Sequence, residues 1–148
     1  MAGHLIKAGH EVFLKTRREA PADLVEAGGV ACASAREVAE KSDIIITMVP
    51  DTPDVELVLF GEGGVAEGLS KGKLVIDMSS ISPPETRAFA GRVAELGCDY
   101  LDAPVSGGEA GAKNAALSIM VGGSPAAFER AKPVFEILGK AIVHVGTA

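Results

Sequence analysis

Ser106, Gly107 and Gly108 form the segment whose residue types say most about chemistry. They follow a short apolar run, residues 100–103, and the small residues continue as far as residue 112. A serine beside two glycines exposes one hydroxyl group and consecutive backbone amides, which is an arrangement suited to binding a carboxylate. The alternative is a plain flexible loop, which does not need so ordered a run of small residues.

A second group of hydroxyl side chains follows the apolar run at residues 74–77. Ser79, Ser80 and Ser82 lead into a helix that begins with proline, and Ser82 is predicted to cap that helix. The free amides and the dipole at a helix start favour an anion or a carboxamide. We therefore expect Ser79 and Ser80 to be available to a ligand, although helix capping alone is the simpler interpretation.

Thr16, Arg17 and Arg18 come at the end of a predicted strand, residues 11–15. In dinucleotide-binding folds an acidic residue here binds the ribose hydroxyls of NAD, whereas a nearby arginine accommodates the 2′-phosphate of NADP. Thr16 stands where that acid is expected, and a guanidinium group pairs bidentately with phosphate. This segment favours NADP as the cofactor, with NAD still open. Two solvated arginines at a helix start are the alternative.

Val49 and Pro50 follow another predicted strand, residues 43–48. A strand that runs into a proline-rigid loop presents a fixed backbone at the carboxyl end of a parallel sheet, where such folds bind ligands. Many α/β proteins end a strand in this way, so the spacing alone is weak evidence.

These segments must be positioned by strands and helices that alternate along the chain. The alternation is typical of an α/β fold with a doubly wound, mostly parallel sheet covered by helices on both faces. Residues 117–121 are expected to add an antiparallel strand. The predicted strands are residues 11–15, 30–31, 43–48, 74–77, 100–103 and 141–145, and the predicted helices are residues 20–27, 35–41, 53–60, 83–96 and 125–138.

The composition supports this architecture and argues against several classes of function. Apolar residues make up 47% of the chain and there is no Trp, as in the aliphatic core of a parallel sheet. A net charge of −6 with scattered Lys and Arg argues against nucleic acid. The apolar runs are far shorter than the ~20 residues of a membrane helix. We expect a soluble, cytoplasmic protein with two free cysteines and, because its three histidines are far apart, no metal site.

Three segments together resemble the β-hydroxyacid dehydrogenase family, and the likeness spans the whole chain. They read DMSS at residues 77–80 with Pro83 after it, DAPVSGG at residues 102–108, and MVGG at residues 120–123. The resemblance implies a Rossmann-type domain of an NAD(P)-dependent oxidoreductase that acts on a small hydroxyacid or semialdehyde. It implies that Val49, Pro50 and Val55 line the cofactor cleft, Ser80 lies near the nicotinamide, Arg17 faces the adenosine ribose, and Ser106, Gly107 and Gly108 hold the substrate carboxylate.

The resemblance also implies that the chain is part of a larger enzyme. Members of the family begin with a strand and a G-x-G-x-x-G phosphate loop, so residues 1–148 are expected to be a partial NAD(P)-binding domain without that strand. The family's catalytic lysine and its all-helical domain are expected beyond Ala148, and the parent enzyme is expected to be a homo-oligomer. A non-catalytic interaction domain is the alternative. Ala115 and Ala116 stand where the family usually has Gly-Thr, which is expected to perturb the turn there.

Overall fold

The computed structural model describes residues 2–16 and 21–146, and strands and helices alternate along them. The strands are β1 (Phe13–Leu14), β2 (Val30–Ala31), β3 (Ile44–Thr47), β4 (Leu74–Asp77), β5 (Asp99–Asp102), β6 (Val105–Ser106), β7 (Leu117–Gly122) and β8 (Gly139–Gly146). The helices are α1 (Ala2–Lys7), α2 (Ala22–Glu26), α3 (Ala35–Lys41), α4 (Thr52–Phe60), α5 (Val65–Gly68), α6 (Pro83–Glu95), α7 (Gly108–Lys113) and α8 (Pro125–Leu138).

A six-stranded sheet forms the centre of the domain. Its strands β3, β4 and β5 are parallel and in register, so that Thr47, Asp77 and Asp102 lie side by side at their carboxyl ends. Strand β7 runs antiparallel to β5 and β6, and β8 runs parallel to β7. The predicted α/β fold with a mostly parallel sheet is confirmed. The strand predicted near residues 117–121 is present and is antiparallel to β5 and β6, but it is not antiparallel to the whole sheet, because it pairs in parallel with β8.

Helices cover both faces of this sheet, because successive side chains of a strand point to opposite faces. On one face Ile76 belongs to the same buried apolar cluster as Phe135 of α8. On the other face Val75 belongs to a second cluster with Phe89 of α6. Strand β4 is therefore buried at every position, as expected for a central strand between two layers of helices.

Strands β1 and β2 form a separate two-stranded sheet. A cleft of about 530 Å³ lies between β1 and β3 and is lined by residues of both strands. In a doubly wound sheet of order 3-2-1-4-5-6, the first strand lies between the second and the fourth. Since β2, β1, β3, β4 and β5 match the order 3-2-4-5-6, the cleft lies where that first strand is expected. Within the described residues, β1 and β3 each present an unpaired backbone edge to this cleft.

Three short elements differ from the sequence predictions. Helix α5 and strand β6 were not predicted, and helix α7 begins at Gly108, inside the segment interpreted as a loop of small residues. The sequence of α7, GEAGAK, contains two alanines, a glutamate and a lysine, which are good helix formers. Within the described residues, no helix is long and apolar enough to cross a membrane.

Candidate functional site

The loops that follow β3, β4 and β5 lie together at the carboxyl edge of the sheet. The amide of Met78 donates to the Thr47 carbonyl at 2.8 Å, and the amide of Ala103 donates to the Asp77 carbonyl at 2.7 Å. These bonds extend the parallel pairing one residue beyond the strands. The structure therefore brings the predicted site segments at residues 49–50, 79–80 and 106–108 to one edge.

The loop after β3 contains Val49 and Pro50 and is held by a neighbouring loop. The Val49 amide donates to Ser79 Oγ at 2.9 Å, and the Pro50 side chain is exposed. Helix α4 then begins with a cap, because the Thr52 amide donates to the Asp51 carboxyl group. Val55 lies on the inner face of α4 and is fully buried in the core, so it supports this loop from below and has no exposed surface of its own.

The serines after β4 are arranged differently from the prediction. Ser79 is only 3% exposed and its hydroxyl group is bonded to Val49, so Ser79 is not available to a ligand. Ser82 occupies the N-cap position of α6, but its side chain makes no capping hydrogen bond. Pro83 and Pro84 lack amide hydrogens, which leaves fewer donors for a cap to accept. Ser80 is exposed at this edge, as the predicted ligand contact requires.

Ser106, Gly107 and Gly108 connect β6 to α7. Ser106 is exposed and lies opposite Ser118 of β7. Gly107 has φ of +132° and Gly108 has φ of +62°, which is the region that favours glycine. A Cβ at Gly107 would lie 3.4 Å from a methyl group of Leu117. The backbone at both glycines is thus bare of side chains, which is what direct contact with a carboxylate requires.

A buried polar network lies beneath these loops, and sequence reasoning did not assign it a role. The Asp77 carboxyl group, fully buried, accepts hydrogen bonds from the Thr47 hydroxyl, the Ser79 amide and the Tyr100 hydroxyl. Burial, together with Asp77, raises the pKa of the Tyr100 hydroxyl group, which therefore stays a donor. The signal in the sequence was an acidic residue at the end of the otherwise apolar β4.

Asp102 lies beside Asp77 on the neighbouring strand. Its Oδ1 atom is buried and has no hydrogen-bond partner within the described residues. Burial, and the nearby charge of Asp77, raise the pKa of the Asp102 carboxyl group. This edge of the sheet therefore holds one fully bonded carboxyl group and one under-bonded carboxyl group.

The remaining predicted cofactor contacts are Thr16 and Arg17. Thr16 is exposed and lines the cleft between β1 and β3, whereas Arg17 lies outside the described residues. In the described part of the chain, no group of His, Cys, Asp and Glu side chains is arranged to hold a metal ion. An exposed hydroxyl group, a hydrogen-bonded loop and bare glycine backbone at the carboxyl edge of parallel strands fit a nicotinamide and a small carboxylate.

The fold and this edge are those of a nucleotide-binding domain, and comparison with known proteins agrees. The chain belongs to the family of the NAD-binding domain of 6-phosphogluconate dehydrogenase, whose family model matches residues 1–146. Nicotinamide dinucleotide is thus the class of cofactor for the family.

Individual relatives are similar along the whole chain. The chain is 58% identical to 2-hydroxy-3-oxopropionate reductase of Escherichia coli over 146 residues, which are 99% of this chain and 50% of that protein. A crystal structure of 3-hydroxyisobutyrate dehydrogenase from Salmonella typhimurium superimposes with a TM-score of 0.89 at 33% identity, covering 99% of this chain and 52% of that one. The chain therefore spans about half the length of the relatives it matches.

More distant relatives differ in their nicotinamide cofactor. An imine reductase of Myxococcus stipitatus in complex with NADP⁺ has a TM-score of 0.85 at 27% identity, covering 98% of this chain and 50% of that one. Its V8 variant in complex with NAD⁺ has the same TM-score at 28% identity, with 98% and 49% covered. One fold therefore accepts both nucleotides.

Proposed function

We propose that the complete protein carrying this chain reduces 2-hydroxy-3-oxopropionate, also called tartronate semialdehyde, to D-glycerate. The observation that carries this proposal is the 58% identity to the Escherichia coli reductase over almost the whole chain. The exposed Ser106 and the bare glycine backbone beside it support it, because the substrate has a carboxylate to bind. The similarity to 3-hydroxyisobutyrate dehydrogenase makes that activity the second candidate.

The predicted site residues at the carboxyl edge have roles in this proposal, except Val55, which was expected to line the cofactor cleft but is fully buried. Ser106 and the amides of Gly107 and Gly108 hold the substrate carboxylate, while Ser80 and the loop of Val49 and Pro50 contact the nicotinamide. When bound, the reduced nicotinamide supplies a hydride to the aldehyde carbon. A proton must reach the carbonyl oxygen in the same reduction, and the family resemblance assigns that proton to a lysine beyond Ala148. We therefore infer that residues 1–148 alone do not catalyse the reaction.

The cofactor assignment is NADP, with NAD as the alternative. It rests on Thr16 in place of the acidic ribose ligand and on Arg17 and Arg18 after it, whose guanidinium groups can pair with a 2′-phosphate. Neither the family nor the imine reductase pair discriminates between the nucleotides.

Steady-state kinetics of the complete gene product test the proposal. Oxidation of NADPH is measured with 2-hydroxy-3-oxopropionate and, separately, with methylmalonate semialdehyde, the aldehyde of the second candidate reaction. We expect a higher kcat/KM for 2-hydroxy-3-oxopropionate. A preference for methylmalonate semialdehyde favours the second candidate, and turnover of neither aldehyde contradicts both.

The carboxylate site is tested by Ser106→Ala in the same protein. This substitution is expected to raise the KM for the aldehyde and to leave cofactor affinity unchanged, because the lost contact acts on the substrate alone. The matched control is Ser70→Ala, which removes an exposed hydroxyl group just before β4, at the opposite edge of the sheet. Selective loss of cofactor binding in Ser106→Ala would place Ser106 in the nucleotide site instead.

A further inference from the structure

Asp77 is a fully buried carboxyl group at the end of β4. Carboxyl side chains are rarely buried completely unless hydrogen-bond donors surround them. Here Oδ1 accepts from the Thr47 hydroxyl and from the Ser79 amide, both at 3.0 Å, and Oδ2 accepts from the Tyr100 hydroxyl at 3.3 Å. The donors come from β3, from the loop after β4 and from β5. One side chain therefore joins three neighbouring segments at the carboxyl edge of the sheet.

A further hydrogen bond extends this network to the loop after β3. The Ser79 hydroxyl group accepts from the Val49 amide at 2.9 Å, and Ser79 is almost fully buried. Asp77 thus holds the backbone of Ser79, and the side chain of Ser79 holds the backbone of Val49. The two loops joined in this way are the ones to which the proposed function assigns nicotinamide binding.

Packing alone does not account for an acidic residue at this position. The other residues of β4, Leu74, Val75 and Ile76, are apolar and fully buried. An aliphatic side chain at position 77 would fill the same space, but it would leave the Thr47 and Tyr100 hydroxyl groups and the Ser79 amide without their acceptor. What an aliphatic residue cannot do is hold three donors from separate segments in one arrangement.

We propose that Asp77 is a positioning residue that sets the separation between the loop at Val49–Pro50 and the loop at Ser79–Ser80, and thereby the affinity for the nicotinamide cofactor. This inference rests on the proposed function, which places the cofactor at these loops. Asp77 itself is buried beneath the loops and acts through Ser79 and Val49. Loss of one of these bonds leaves a buried donor unpaired and frees the loop that it holds.

Two disruptive variants and two controls test this role in the complete gene product. Asp77→Ala removes the acceptors, and Ser79→Ala removes only the acceptor of the Val49 amide. Asp77→Asn keeps an oxygen for Thr47 and Ser79 and turns its amide to Tyr100, whose hydroxyl group can rotate to accept. Leu74→Val removes buried volume at the opposite end of the same strand and leaves the network intact.

Two measurements separate positioning from simple loss of stability. Fluorescence titration gives the dissociation constant for NADPH and for NADH. Hydrogen exchange without cofactor reports whether the Val49 amide is still protected. We expect Asp77→Ala and Ser79→Ala to weaken nucleotide binding about 10-fold, the cost of leaving one buried donor unpaired, and to speed exchange at Val49. We expect Asp77→Asn to stay within about threefold of the wild type, about the worth of one hydrogen bond, and Leu74→Val to match the wild type.

Each contrary result has a distinct meaning. Wild-type protein that binds neither nucleotide overturns the proposed function and this inference with it. Wild-type protein that binds, together with Ser79→Ala of unchanged affinity, overturns the inference alone, even if Asp77→Ala does not fold. A loss of affinity in Leu74→Val equal to that in Ser79→Ala assigns the effect to stability and also overturns the inference.

Discussion

Ala115 has a backbone conformation that favours glycine, and replacing it with glycine is expected to stabilise the domain. Its φ is +53°. It follows α7, where the Ala116 amide donates to the Gly111 carbonyl at 2.8 Å and the Ala115 amide donates to the Ala112 carbonyl at 3.4 Å. This pair of bonds is a Schellman motif, in which the residue at the position of Ala115 is left-handed and most often glycine. The perturbed turn expected from the sequence is thus a strained alanine.

The size of the effect follows from two opposing terms. An L-residue in the left-handed region costs about 1–2 kcal/mol, and glycine relieves this strain. Glycine also costs about 0.4–1 kcal/mol through the greater entropy of the unfolded chain. Ala115→Gly is therefore expected to change the free energy of unfolding by about 0 to +1.6 kcal/mol. Ala116→Gly has the same entropy cost, but it relieves no strain. The difference in the free energy of unfolding between the two variants is therefore the strain at Ala115, about 1–2 kcal/mol.

Urea unfolding of the complete gene product, followed by circular dichroism, measures this difference. The urea concentration at the midpoint of unfolding is expected to be higher for Ala115→Gly than for Ala116→Gly. The dependence of the free energy of unfolding on urea concentration is expected to be the same for both variants, because the compactness of the folded state is the same. Equal midpoints for the two variants would refute the reasoning, since they would mean that Ala115 carries no strain.

Three other predictions follow from the described site and sheet. Burial and Asp77 raise the pKa of the Asp102 carboxyl group above its ordinary 3.8. The folded protein therefore binds the proton of this carboxyl group more tightly than the unfolded chain does. The stability gained in this way is present below about pH 4 and is lost as the pH rises through the raised pKa. Asp102→Asn should therefore raise the urea midpoint relative to wild type at pH 7 but not at pH 3.5, and a pH-independent difference contradicts this.

The unpaired edges of β1 and β3 should make the chain alone poorly stable. Each buried backbone group without a hydrogen-bond partner costs about 1–3 kcal/mol, whereas the free energy of unfolding of a whole domain is about 5–15 kcal/mol. Light scattering that shows a monomer, with a sharp thermal transition above about 55 °C, would disprove it. Arg17→Ala in the complete protein should weaken NADPH binding far more than NADH binding in a fluorescence titration, and equal losses would remove the NADP assignment.

Much of the fold could be predicted from the sequence because secondary structure follows from local spacing. Helices α3 and α8 and strand β4 have the predicted bounds, and the alternation of helix and strand predicts the layered sheet. The predicted site segments also lie at one edge, since the carboxyl ends of parallel strands must meet there. The predictions that were wrong concern short elements. Helix α7 was interpreted as a loop because small residues are compatible with both a loop and a helix.

The tertiary structure alone decided which serine is exposed and which is engaged. Ser79 and Ser80 are neighbours with the same side chain, yet Ser79 is bonded to Val49, which lies 30 residues away, and Ser80 is exposed. The role of Asp77 likewise depends on donors from Thr47 and Tyr100, which lie 30 and 23 residues away. Local periodicity carries no information about such partners, because hydrogen bonds between distant residues exist only after the strands have paired.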